Sequence, residues 1–326
     1  MQTMQNHPIR GLHHVTALAG SAQGNLDFYA GVLGLRLVKK TVNFDAPEVY
    51  HLYYGDETGS AGSIMTFFPF GTQVRRGRRG VGQSAVTAFS VPSASMEYWL
   101  RRLKQFQVPV QAPRQRMDEL VLYFEDPDGL SLELVANDLD TRPGYANGFI
   151  PAEFAIRGFW GVELWETGYE QTEAILAGQL DYAFVGESGS RRRYAPQGSA
   201  SPGQFVDLDY SLNRDFGRGG AGTVHHIAFD TPSDEAQLLV REKVLAAGLQ
   251  VTPVLDRQYF HSIYFREPGG VLFEVATTPP GFAFDEPVAM LGSALKLPPW
   301  EEAHRAQIEA QLPPIHFNPE AYGSPA

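Results

Sequence analysis

Two stretches of this chain repeat one another in residue class, and that internal repeat limits the folds open to it more than any other feature. Leu122-Tyr123-Phe124-Glu125-Asp126-Pro127-Asp128-Gly129 stands against Ile263-Tyr264-Phe265-Arg266-Glu267-Pro268-Gly269-Gly270. Each is followed by an apolar segment carrying one glutamate, Leu132-Glu133-Leu134-Val135 and Phe273-Glu274-Val275-Ala276. Upstream, Val86-Thr87-Ala88-Phe89 answers His226-Ile227-Ala228-Phe229. A repeat on this scale means that one supersecondary unit recurs along the chain.

Extending the pattern in both directions gives four copies of a strand, a helix and several short strands. Copy one has a strand over 11–19, a helix over 25–33 with Leu26, Tyr29, Ala30 and Leu33 on one face, Gly34 to stop it, and strands over 36–43, 49–54 and 63–68. Copy two has strands over 85–91, 120–124 and 130–135 around a helix over 96–106, with Asp126-Pro127-Asp128-Gly129 as a hairpin turn. Copy three runs from a strand over 159–165 through a helix over 169–180 and a polar Gly/Ser-rich loop over 186–203 to a strand over 204–210. Copy four has strands over 223–229, 259–265 and 271–276 and a helix over 235–247. The expected class is α+β. At 326 residues the chain exceeds what one hydrophobic core usually serves. The expected division is 1–150 for the first pair of copies, 151–280 for the second, and a Pro-rich tail over 281–326 with a short helix at 300–311.

Chemistry enters through two histidine doublets, Leu12-His13-His14-Val15-Thr16 and Val224-His225-His226-Ile227-Ala228. Two histidines and one carboxylate, the latter from Glu274 in its apolar strand, suit a mononuclear site of the kind associated with non-heme Fe(II). A carboxylate buried there without a partner would be costly. Copy two keeps a glutamate, Glu133, but has Val86 in place of His226, and an overlay of Val32-Leu33-Gly34-Leu35 on Gln179-Leu180-Asp181-Tyr182 sets Gly161 opposite His14. The second site would hold one carboxylate and no histidine, so one metal per chain is expected, with Glu133 a structural relic.

Over about residues 9 to 280 these repeats, with His on the opening strand and Glu on the closing one, resemble the vicinal oxygen chelate superfamily of glyoxalase I, bleomycin resistance proteins and extradiol dioxygenases. The doublets, with Asp256-Arg257-x-Tyr259-Phe260 ahead of Tyr264, are similar to ring-cleaving dioxygenases that act on hydroquinones. The resemblance implies four βαβββ modules forming two open barrels, with Fe(II) held by His14, His226 and Glu274, and Mn(II) as the alternative metal. One ligand from copy one and two from copy four require the chain ends to meet, so modules 1 and 4 should pair around the metal, and consecutive halves would not describe the barrels. His13, next to its ligand on a strand, should point to the opposite face.

The same resemblance implies a small aromatic substrate and O2, both of whose atoms enter the product. His225 would then be the acid/base, His13 a second proton partner, Arg257 an anchor for oxyanions, Tyr264 an orienting phenol and Thr16 a weaker candidate. A glyoxalase-type isomerase would need a glutamate at the close of copy one, where Ile64-Met65-Thr66-Phe67-Phe68 has none. Two other readings remain: an extradiol catechol dioxygenase, and a metal-free binding protein of the bleomycin-resistance kind.

The absence of cysteine removes disulfides, thiolate metal sites and thiol nucleophiles. A net charge of −11 disfavours nucleic acid and anionic membrane as partners. No apolar run approaches the roughly 20 residues needed to cross a bilayer, and Met1 to Pro8 lack the apolar core of an export signal, so a cytoplasmic location is expected. Arg75-Arg76-Gly77-Arg78-Arg79 and Arg191-Arg192-Arg193 read as solvated loops, with a subunit contact as the competing reading, and a homo-oligomer is expected. His7, His51, His304 and His316 read as surface or structural; His261 sits where it faces either the pocket or the far side.

Overall fold

A computed structural model describes residues 7–199, 202–211 and 213–323. Met1 to Asn6 of the opening segment, positions 200 and 201 of the expected loop, position 212 and the tail from 324 onward lie outside the described residues.

All four modules are present. The first comprises β1 (Leu12–Ala19), α1 (Ala22–Leu26), a π-helical turn over Asp27–Val32, β2 (Arg36–Asn43), β3 (Ala46–Gly55) and β4 (Ile64–Pro69). The second comprises β5 (Gln83–Val91), α2 (Met96–Gln105), β6 (Arg114–Arg116), β7 (Glu119–Glu125) and β8 (Ser131–Ala136). The third has β9 (Phe159–Trp165), α3 (Glu170–Gln179), β10 (Tyr182–Ser188), β11 (Arg191–Pro196) and β12 (Phe205–Asp209). The fourth has β13 (Thr223–Thr231), α4 (Asp234–Ala246), β14 (Leu255–Asp256), β15 (His261–Arg266) and β16 (Leu272–Thr277).

Local sequence explains the punctuation. The Ser21 hydroxyl accepts from the Gly24 amide at 3.1 Å and so caps α1 three residues before the apolar periodicity becomes visible. Gly34, at φ +68°, ends that helical segment in a conformation that glycine adopts freely. The turn after β7 closes as expected, with the Gly129 amide donating to the Asp126 carbonyl at 2.9 Å.

Two eight-stranded sheets result, ordered β14-β15-β16-β13-β1-β4-β3-β2 and β10-β11-β12-β9-β5-β8-β7-β6. Each unites modules from opposite halves of the chain: four with one, and three with two. The seams are antiparallel, β1 against β13 and β5 against β9. The two-barrel architecture and the pairing of modules 1 and 4 are therefore as the repeat and the resemblance imply.

One expectation fails. Much of the loop placed over 186–203 is a hairpin, in which β10 pairs with β11 from Tyr182↔Pro196 to Ser188↔Arg191. The arginines of its second strand face carboxylates, while Glu187 to Gly189 at the turn are exposed. Arg191 pairs with Glu163 at 2.5 Å and Asp207 at 3.1 Å, Arg192 with Glu187 at 2.6 Å and Glu173 at 3.3 Å, and buried Arg193 with Asp207 at 2.8 Å and with Glu119. The run is thus a neutralised strand, neither a solvated loop nor in need of a subunit partner. Arg75, Arg76 and Arg78 are exposed, as read from the sequence.

The tail wraps the first module. Its helix, α5 (Arg305–Gln311), is shorter than expected and follows a 3-10 turn over Glu302–His304. Trp300 packs edge-on against Phe44, and Tyr322 lies against Phe106, Phe149 and Phe317. Lys39, fully buried, pairs with Asp285 at 2.6 Å and Glu286 at 2.5 Å, which pins the start of the tail to β2. Among the described residues no helix is long and apolar enough to cross a membrane.

Candidate metal centre

The seam between β1 and β13 brings the two doublets together. His14 lies opposite Ala228, which in turn neighbours Glu274 on β16, and Thr16 lies opposite His226. The Nε2 atoms of His14 and His226 are 3.2 Å apart, and Glu274 Oε2 is 3.2 Å from the first and 2.9 Å from the second. All three residues are buried, and no other group of three His, Asp or Glu side chains converges in this way among the described residues.

Glu274 Oε2 makes no hydrogen bond although two ring nitrogens lie close to it. Two imidazole nitrogens and a carboxylate oxygen that all lie within 3.2 Å of one another fit a shared cation. The other carboxylate oxygen, Oε1, accepts a hydrogen bond from the Ser262 hydroxyl. Burial raises the Glu274 carboxyl, but His14 and His226 outweigh it and hold the group well below its usual range. The donor set, two imidazoles and one ionised carboxylate, is therefore ready to hold a divalent metal.

Both doublets sit on β-bulges. The β1–β13 register slips between Leu12 and His14 on one strand, leaving His13 unpaired, and again between Thr16 and Ala17, where His225 is the residue skipped. A bulge breaks strict alternation and re-aims a side chain. Consequently His13 does not turn to the opposite face as alternation predicts: its Nδ1 lies 2.9 Å from His14 Nδ1, and His225 Nδ1 lies 2.7 Å from His226 Nδ1. Each ligand ring thus has its Nδ1 occupied by its neighbour, which directs Nε2 to the metal position. Metal-ligating histidines characteristically give their other ring N–H to such a partner.

The neighbours themselves differ. His13 is buried and contacts Phe260, whereas His225 opens onto the cavity. Burial, followed by the adjacent ligand histidine, pushes His13 down to about 3 and His225 down to about 4.

The cavity has a volume of about 720 Å³ and reaches His14, His226, His225, Arg257 and Tyr264. Arg257 Nε donates to the Tyr264 hydroxyl at 3.2 Å, and its Nη1 is 3.5 Å from Asp45. Tyr264 meets the His226 ring edge-on and pairs with Glu274 across β15 and β16. Burial, with Glu274 next, keeps its phenol protonated. Thr16 is buried beside the cavity and hydrogen-bonds Thr66 at 2.9 Å. His261 faces away, with its Nδ1 2.6 Å from Asp234 at the start of α4.

His51 is a correction. It is half-buried on the cavity wall, with Nε2 2.8 Å from Thr66 Oγ1 and Nδ1 2.8 Å from the Tyr53 hydroxyl. Burial pushes it well below its ordinary value. The signal was the alternation of His51 and Tyr53 on β3, with Tyr53 opposite Thr66 and Thr66 opposite Thr16. Ser262, which fixes Glu274, had no sequence signal beyond its place on β15.

The other sheet has a matching position without a metal-binding set. Gly161 lies opposite Ala88, as His14 lies opposite Ala228, and Val86 lies opposite Glu163. Glu163 supplies a second carboxylate beyond the single one expected. Glu133 is paired with Arg116 and with Arg114 at 3.4 Å, and Glu163 with Arg191 at 2.5 Å. Guanidinium groups neutralise these carboxylates, where in the first sheet two imidazoles lie against Glu274.

Comparison with known proteins adds three observations. A family model described as Glyoxalase/Bleomycin resistance protein/Dioxygenase superfamily matches residues 11–134 and 166–275. The chain is 45% identical over 307 residues to the "Putative ring-cleaving dioxygenase MhqO" of Bacillus subtilis, covering 94% of this chain and 96% of that protein, and 35% identical over 310 residues to the "Chlorohydroquinone/hydroquinone 1,2-dioxygenase" of Sphingobium indicum, covering 92% and 95%. A crystal structure described as a "putative dioxygenase" from Bacillus subtilis superposes with a TM-score of 0.90 at 44% identity, covering 95% of this chain and 98% of that one.

Proposed function

The chain belongs to the glyoxalase/bleomycin resistance protein/dioxygenase superfamily, and we propose that it is a ring-cleaving dioxygenase that uses Fe(II) to insert both atoms of O2 into a hydroquinone-type ring. The observation that carries this reading is the convergence of His14 Nε2, His226 Nε2 and the unpartnered Glu274 Oε2 within 3.2 Å of one another beside an open cavity. Two histidines and a carboxylate on one side of a metal, with the remaining positions open, is a donor set that suits Fe(II) oxygenases, with Mn(II) as the alternative occupant. The relative that acts on chlorohydroquinone and hydroquinone supports the 1,4-diol over a catechol as the substrate.

A fourth protein ligand of the isomerase kind would have to come from Thr66. That residue holds on β4, beside Thr16, the place that Glu274 holds on β16 beside Ala228. Its hydroxyl is engaged by Thr16 and His51 and offers no charge. When bound, the metal supplies one coordination sphere in which ring and oxygen are held in proximity and electrons pass from one to the other.

The protein's own groups handle protons and orientation. For His226 Nε2 to ligate, its Nδ1 must carry the proton, so His225 Nδ1 accepts and His225 Nε2 carries the N–H that faces the cavity. His225 therefore donates a hydrogen bond from Nε2 to a substrate oxygen that bears negative charge and, being a neutral imidazole, keeps that proton, so it stabilises the oxyanion rather than serving as the acid/base. His13, buried against Phe260 and His14, acts instead by positioning its ligand. Arg257 remains charged and aims at the same oxygen region, while Tyr264, accepting from Arg257, keeps its own proton to donate. Thr16 supports this wall through Thr66.

Anaerobic reconstitution with Fe(II), followed by hydroquinone, methylhydroquinone or catechol with oxygen uptake recorded, tests the proposal. It predicts one O2 consumed per ring with the 1,4-diols. Exclusive turnover of catechol would favour the extradiol reading. A protein that binds the diols but neither iron nor oxygen would be a binding protein.

A further inference from the structure

We infer that the preferred substrate is a hydroquinone bearing a bulky uncharged apolar substituent, larger than a methyl group; this rests on the ring-cleaving reading above. A cavity of about 720 Å³ falls within the range of about 300–1,000 Å³ that holds drug-sized ligands, of which a bare six-membered ring fills a small part. Contacts link four of the polar lining groups, with His14 beside His226, His226 against Tyr264, and Tyr264 bonded to Arg257.

Besides these, the first module contributes Leu18, Phe68, Phe70 and Val74, and the fourth contributes Leu255 and Leu272. Each of these six side chains is only partly buried, so apolar surface is left facing the cavity from both sides. A substituent lying between the two walls would remove that surface from water, which is the source of hydrophobic binding energy.

Charge argues for the same class. The carboxylate and guanidinium on the wall, Asp45 and Arg257, lie 3.5 Å apart, and Arg257 also hydrogen-bonds Tyr264. Arg257, tied to Tyr264 beside His226, is the one Arg or Lys among the described lining residues, and none stands among the apolar side chains, so an acid group lying between them would be desolvated without a partner.

The test compares hydroquinone with phenylhydroquinone on the iron-loaded full chain. Oxygen uptake gives kcat/KM, and anaerobic calorimetric titration gives affinity. The expected result is a preference for phenylhydroquinone of about tenfold or more, the scale on which apolar pockets discriminate, together with its reduction by Val74→Trp, which fills the space between the walls. Turnover of hydroquinone with no preference for the phenyl compound, or a preference that Val74→Trp leaves intact, would overturn the inference and leave the ring-cleaving function standing. Tighter binding of phenylhydroquinone without turnover of either diol would support the apolar recognition and refute the reaction. Failure of both compounds to bind would overturn both.

Discussion

The Nδ1 atoms of His225 and His226 stand 2.7 Å apart on a β-bulge, so two consecutive strand residues that would ordinarily face opposite ways share one hydrogen bond beside the metal position. The same arrangement recurs at His13 and His14, at 2.9 Å. On the proposed reading, a doubled histidine is the device by which each metal ligand would obtain its supporting partner from the adjacent residue rather than from a distant strand.

The two partners separate in a mutational test. Changing His225 to Phe should lower kcat by about 10²–10³, the range for loss of one donor to a developing oxyanion, with iron content retained. Changing His13 to Phe should instead weaken iron affinity by about 10–100-fold, as loss of a ligand's supporting partner does. Metal titration and steady-state oxygen uptake on both variants check this. Equal losses of turnover at full iron occupancy would contradict the division of roles.

Much of this site could be read from residue spacing because its parts are marked. Glu274 stands out in an apolar strand, and the doublets recur at matched places in copies one and four. What could not be read is what depends on register. Strict alternation sent His13 away from His14, because a bulge leaves no compositional trace at this position. His51 read as surface or structural because Thr66 becomes its neighbour only when β3 lies against β4, and the alternation with Tyr53 on the same strand did not by itself mark the cavity. The third module hid its hairpin for a related reason: the alternation of Arg191, Arg192 and Arg193 has meaning only once Glu163, Glu119 and Asp207 are seen across the sheet.

That hairpin yields a second prediction. Arg193 is buried between Asp207 and Glu119, so Arg193→Ala leaves both carboxylates without their shared partner. Asp207 keeps Arg191 and Glu119 keeps Arg116, so the cost is that of lost hydrogen bonds between charged groups, about 1.5–3 kcal/mol. Urea denaturation should show that loss while iron content stays at the wild-type level, because the residue belongs to the sheet without the metal. A change within 0.5 kcal/mol would return this run to the status of a solvated surface.

A third concerns pH. Both carboxylate oxygens of Glu166 are buried without a hydrogen-bond partner, and burial, with Glu267 second, pushes the group from its ordinary 4.5 up to about 8. Between those values the folded chain binds a proton that the unfolded chain has released. The associated stability is complete below about pH 4.5 and is lost as pH rises through about 8. Glu166→Gln keeps the neutral shape and removes this dependence. Relative to the variant, the wild type should lose on the order of 1–3 kcal/mol of unfolding free energy between the two ends of that window. Denaturation curves at pH 4.5 and pH 9 decide it, and a difference between the two proteins that does not change with pH would refute it.

Iron bound per chain, determined by elemental analysis after anaerobic Fe(II) reconstitution and desalting, tests the central claim most directly. The account predicts one iron per chain in the wild type and less than about a tenth of that in His14→Ala, His226→Ala and Glu274→Ala, each still folded. Wild-type protein that retains no iron, or ligand variants that retain it in full, would contradict the metal centre and with it the oxygenase reading.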